Sequence, residues 1–154
     1  MNKHVRDNCN LLIDFLKSLE DEFIGLHKGL KTEVVNIKLP LDFQYFLNWS
    51  NGFSIFGTEI LGIGNTQFDL LKTVSREQNE TSNLMPNYMI PFSPAGNGDY
   101  YCFNLKDGLD ENGLCPVVYW QWNYSNADRN EIVNDSFIEW LKELIDDSLL
   151  DEEE

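Results

Sequence analysis

Basic residues are scarce in this sequence. Lys and Arg number 11 against 26 Asp and Glu, giving a formal net charge of -15 and an isoelectric point near 4.3. A surface of that sign repels nucleic-acid phosphates and anionic membranes, and it draws cationic partners instead. Histidine is scarcer still: His4 stands near the N-terminus and His27 between Gly25 and Gly29. Neither lies in a nucleophile motif, so a triad that needs an imidazole base finds no candidate better than a surface histidine. The three cysteines, Cys9, Cys102 and Cys115, are odd in number and lack the spacing of a zinc clip or a redox pair. They read as buried free thiols in a reducing compartment. No stretch approaches membrane-spanning length, and Met1–Asp7 has no apolar signal core, so the expectation is a cytoplasmic protein.

Glycine motifs are present but incomplete. Gly96-Asn97-Gly98-Asp99 lacks the Lys-Ser/Thr of a phosphate loop, and Gly62-Ile63-Gly64 has no third glycine at dinucleotide spacing. The first reads as a hairpin turn. Asp107, Asp110, Glu111 and Asn112 cluster around glycines but miss the spacing of a calcium loop, which leaves a solvated turn. The expectation is therefore no cofactor and no metal.

What the chain does have is apolar and aromatic bulk. Hydrophobic residues make up 42% of 154 residues and aromatics 13%, enough for the core of one domain. Val5, Cys9, Leu12, Ile13, Leu16 and Phe23 recur at helical spacing and predict a helix over about 4–22. Val34–Leu39 is a strand or an extended lead-in. Pro40 suits the first position of a second helix, with Phe43, Phe46 and Leu47 on its apolar face and Asn51-Gly52 as its stop. Phe53–Gly62 reads as two short strands about Gly57. Phe68, Leu70, Leu71 and Val74 could start a short helix, while Arg76–Asn83 looks like loop. Strands are expected at Met89–Ser93, Tyr100–Leu105 and Pro116–Trp122. Ser136 and Glu139 have capping-box spacing before a helix that buries Phe137, Trp140, Leu141, Leu144 and Ile145.

With no βαβ alternation, this order predicts one α+β domain: a twisted, largely antiparallel sheet with N- and C-terminal helices packed against it. The domain is expected to span 1–148, followed by an acidic tail at 149–154. Residues 139–154 hold eight acids and one base, a net of -7, which reads as a frayed, solvated terminus. The remainder still carries -8.

Five signposts line up in order: Leu39-Pro40; Asn51-Gly52; Gly98-Asp99-Tyr100-Tyr101-Cys102; Pro116-Val117-Val118-Tyr119-Trp120; and Ser136-Phe137-Ile138-Glu139-Trp140-Leu141. Together they resemble the SUKH superfamily, which includes the Smi/Knr cell-wall regulators of fungi and many bacterial immunity proteins. The resemblance implies a non-enzymatic role. For a chain of this size it implies an antitoxin that binds a cognate secreted toxin, foremost a nuclease, whose cleft is basic. It also implies that Asp99 faces the partner or holds its turn. One departure is Gln121-Trp122-Asn123, where many relatives carry an acid or histidine after the strand tryptophan.

Alternation along the strand puts Trp120, Trp122 and Tyr124 on one face and Tyr119 on the other. Tyr119 and Trp120 read as core against the last helix, whereas Trp122 and Tyr124 sit among polar residues as candidate interface anchors. The partner-binding candidates are thus Glu59, Asp69, Asp99, Trp122, Tyr124 and Asp128. A scaffold or regulatory module is one alternative. A carboxylate hydrolase using Glu59, Asp69 or Asp99 is another.

Overall fold

The computed structural model describes residues 1–31, 37–64, 69–122 and 131–153, with 152 and 153 described by backbone alone. Four helices pack with two antiparallel sheets, so the fold is α+β, with two sheets where the sequence suggested one. Helix α1 (Lys3–Lys17) starts where the Asn2 side chain accepts the Val5 N–H, and it buries Val5, Cys9, Ile13 and Leu16. It stops five residues short of the predicted end. The Ser18 hydroxyl donates to the Phe15 carbonyl at 2.6 Å, satisfying an acceptor that a continuing turn would have used. Phe23 therefore leaves the helical stripe and meets Phe56 instead, with ring centroids 5.6 Å apart.

Strands β1 (Ile24–Leu26), β2 (Phe53–Ile55) and β3 (Thr58–Ile60) form the small sheet in that order. The β2–β3 turn is Phe56-Gly57, both at positive φ (48° and 82°), the twist that a two-residue hairpin requires. Helix α2 (Leu41–Trp49) begins just after Pro40, which is its cap rather than its first residue. The proline ring still does the expected work by holding φ at -64°. Past the helix, Gly52 sits at φ 79°, and a Cβ there would lie 2.8 Å from the Gly62 nitrogen. Only glycine fits.

Helix α3 (Leu70–Asn79) takes in Arg76–Asn79, where the polar sequence predicts loop. Polar residues there do not break the helix, because Thr73 and Glu77 turn inward while the rest of that stretch faces solvent or the rim. The larger sheet runs β4 (Met89–Gly96), β5 (Asp99–Asn104), β6 (Val117–Trp120) and β7 (Ile132–Asn134) in order. The two sheets are stitched at their border. Leu61 N–H donates to the Phe92 carbonyl at 2.8 Å, and the Ser93 hydroxyl donates to the Glu59 carbonyl at 2.7 Å.

Helix α4 (Phe137–Glu153) opens on the Ser136 hydroxyl, which accepts the Glu139 N–H at 3.3 Å. It continues through the acidic stretch read as a frayed tail, and Leu149 packs against the core. No helix among the described residues is long and apolar enough to cross a membrane.

The core is aromatic. Phe92 stacks on Phe103 at 4.2 Å, Phe43 meets Phe103 at 4.9 Å and Phe137 at 5.1 Å, and Trp140 meets Phe92 at 4.9 Å. Strand alternation gives the large sheet two covered faces. Phe92, Phe103 and Val117 face this main core, whereas Met89, Tyr100, Cys102, Val118 and Trp120 form a second cluster with Met85. That second cluster lies on the α3 side, where Arg76 Nη2 donates to the Tyr100 hydroxyl at 3.0 Å and Gln78 Nε2 to the Met89 carbonyl at 2.8 Å. Trp120 is buried as expected, but in this cluster rather than against α4. All three cysteines are buried free thiols.

Candidate functional site

The β4–β5 hairpin carries the most distinctive polar geometry. Asn97-Gly98 is its two-residue turn, with φ of 58° and 84°, and Gly96 pairs with Asp99 across it. Asn-Gly is the favoured pair for such a turn because both positions need positive φ. The turn delivers the Asp99 carboxylate to the end of β6. Its Oδ2 accepts the Tyr119 hydroxyl at 2.9 Å, and its Oδ1 accepts the Trp122 N–H at 3.1 Å. Asn83 Nδ2 donates to the Trp122 carbonyl from beyond α3. The indole packs on the bare Cα of Gly98: an added Cβ would lie 3.1 Å from Trp122 Cδ1 and Cγ. Trp122 is thus held in place by its backbone while 48% of it stays exposed.

Aromatic contacts extend this feature along the sheet. Tyr119 meets Tyr101 edge-on at 5.1 Å, and Tyr101 meets Trp140 of α4 at 5.3 Å. Loss of solvent, and then the hydrogen bond it donates to the Asp99 carboxylate, push the Tyr119 phenol up to about 12. The hydroxyl therefore stays a donor through the neutral range. Tyr119 is half-buried on the α4 side, as alternation from Trp120 requires.

The other candidates scatter. Glu59, half-buried on β3, lines a polar pocket of about 230 Å³ with His27, Asn51 and Ser54 on the small sheet. Asp69 is 3% exposed and caps α3, accepting N–H groups from Lys72 at 3.0 Å and from Gly64. Helix N-termini demand such acceptors, so this partner-binding candidate sits buried at a cap. Tyr124 and Asp128 lie outside the described residues. Of the six, the structure brings together Asp99 and Trp122.

Tyr101 and Tyr119 belong to the site and were missed as surface residues. Their signal was the same alternation that placed Trp120 inside. The acidic loop at 107–113 is closed by its own Asp110, whose Oδ1 accepts the Asn112 N–H at 2.8 Å and the Leu114 N–H at 3.0 Å. Among the described residues no three His, Cys, Asp or Glu side chains converge as a metal set would.

Among the described residues, the most perturbed carboxylate is elsewhere. Asp42 is fully buried, and burial first raises it to about 6, against the lowering effect of N–H groups from Ile138 and Phe43. It joins two helix starts and has no exposed surface for a substrate.

Fold and site define an acidic α+β module with a rigidly held surface tryptophan and no converged catalytic constellation among the described residues. The family model described as SMI1-KNR4 cell-wall, of the SUKH group, matches residues 31–146, and the chain belongs to that family. No curated protein matches it.

Proposed function

We propose that this chain is an immunity-type binding module that neutralises a basic protein toxin, a nuclease foremost, by covering its cationic cleft. The observation that carries the reading is Trp122: half exposed, yet fixed by Asp99, Asn83 and the Gly98 turn. A large aromatic immobilised before binding loses little entropy on binding, which is the property of an interface anchor. The charge of -15 supplies the second element, long-range steering toward a basic partner. A catalytic reading has less support, since the carboxylates of Asp69 and Asp99 are engaged in holding backbone and Tyr119.

Family membership supports both this reading and a scaffold of the cell-wall-regulator type. The test is co-expression with a basic nuclease toxin in a susceptible host. Neutralisation predicts that growth is restored by the wild-type chain and not by Trp122→Ala. A scaffold would leave growth arrested in both.

A further inference from the structure

A pocket of about 290 Å³ opens where α4, β5 and the edge strand β7 meet, lined by Tyr101, Trp140, Val133, Leu144, Glu143 and Asp147 among others. It is small against the roughly 300–1,000 Å³ of drug-sized ligand sites, so it suits one side chain rather than a cofactor. Its walls combine two chemistries. Half-buried Tyr101 and the 5%-exposed Trp140 supply an aromatic wall, their rings 5.3 Å apart. Glu143 and Asp147, one helical turn apart on α4, supply two carboxylates. Asn134 Nδ2 donates to Glu143 Oε2 at 2.7 Å and so fixes one of those carboxylates at the rim. The base on this part of α4, Lys142, lines a different groove, with His4 and Leu11. Among the described residues, no cation lines the pocket.

Aromatic rings beside paired carboxylates match a planar, weakly hydrated cation that can stack and hydrogen-bond at once. A guanidinium does both, whereas an ammonium is a compact, strongly hydrated charge. We propose that this pocket receives an arginine side chain of the basic partner. The inference rests on the binding reading above and deepens it. Tyr101 joins the two sites: it lines the pocket and touches Tyr119, whose hydroxyl donates to Asp99. Tyr101, Tyr119 and Asp99 thus connect the arginine seat to the backbone of Trp122.

The test is a titration of the purified chain with N-acetyl-arginine amide, followed by amide and indole NMR signals. N-acetyl-citrulline amide, of nearly the same shape but neutral, is the comparison. The expected result is saturable millimolar binding, with shifts confined to Tyr101, Val133, Asn134 and the Trp140 indole. Citrulline should bind at least fivefold more weakly, and so should arginine to Asp147→Asn. That variant is exposed and leaves the Asn134–Glu143 bond in place, so folding is not at stake. Equal shifts from citrulline, shifts spread over the acidic surface, or unchanged binding to Asp147→Asn would each overturn the proposal. The titration uses no partner protein, so its failure is distinct from failure of the growth assay.

Discussion

The Asp42 carboxylate of α2 accepts the Ile138 N–H of α4 at 3.0 Å while its other oxygen accepts the Phe43 N–H at 2.9 Å. One buried acid therefore serves the first turns of two helices that are 96 residues apart in sequence. Helix N-termini favour negative charge, yet burial outweighs them here and raises the group from 3.8 to about 6.

The pH consequence has a definite sign. An acid whose folded value is raised holds its proton more tightly in the folded chain than in the unfolded one. Its contribution to stability is full below about pH 4 and is lost as pH rises to about 6. Chemical denaturation of wild type and Asp42→Asn across this window isolates the effect. Asn is a neutral mimic of the protonated acid and does not titrate in this window. Wild type then loses on the order of 3 kcal/mol relative to it as pH rises. Parallel curves would show that Asp42 is not the titrating group.

Gly98→Ala asks a non-glycine residue to hold φ 84° and to press its Cβ toward the Trp122 ring. A left-handed non-glycine costs about 1–3 kcal/mol. The midpoint of thermal unfolding should fall, and Trp122 should become more mobile by fluorescence anisotropy. Gly57→Ala has a similar φ but open space around it, so it should lower stability without moving Trp122.

Tyr119→Phe deletes the hydroxyl that Asp99 accepts, while Asp99 keeps the Trp122 N–H. The expected cost is about 1 kcal/mol. A double-mutant cycle with Asp99→Ala should return a coupling of that size; additivity within ~0.3 kcal/mol would show no interaction.

The cysteines give a simpler expectation. Burial, then Asp42, push Cys9 and Cys115 up to about 12, and burial, then Glu77, raises Cys102 further from reactivity. Thiol labelling of the native chain should yield no adduct, with all three reacting on unfolding. Rapid labelling of any one in the folded state would contradict its burial.

Much of this architecture was legible. Periodicity located α1, α2 and α4, and Asn97-Gly98 marked its own hairpin. The misses have physical causes. Strands β1 and β7 are three residues each and lack the central glycine turn that marked the equally short β2 and β3; they exist through pairing with β2 and β6. Helix α3 hides because one apolar turn is followed by polar residues whose inward members, Thr73 and Glu77, are not hydrophobic. Asp99 and Trp122 could be singled out from the chain, yet their bond could not. It depends on which residue of β6 ends beside the turn, and that register is a tertiary fact. Asp69 and Asp42 show the same limit from the other side. An acid near a helix start reads alike whether it faces solvent or is buried, and here both are buried.

The most direct test of the central claim is the affinity of a basic toxin partner for wild type and for Trp122→Ala, at low and high salt. Trp122 is half exposed, so its loss should leave the unfolding midpoint nearly unchanged. The account predicts that wild-type binding weakens with salt and that the variant loses at least tenfold in Kd, about 1.4 kcal/mol or more. Salt-independent binding, or equal affinity for the two chains, would contradict it.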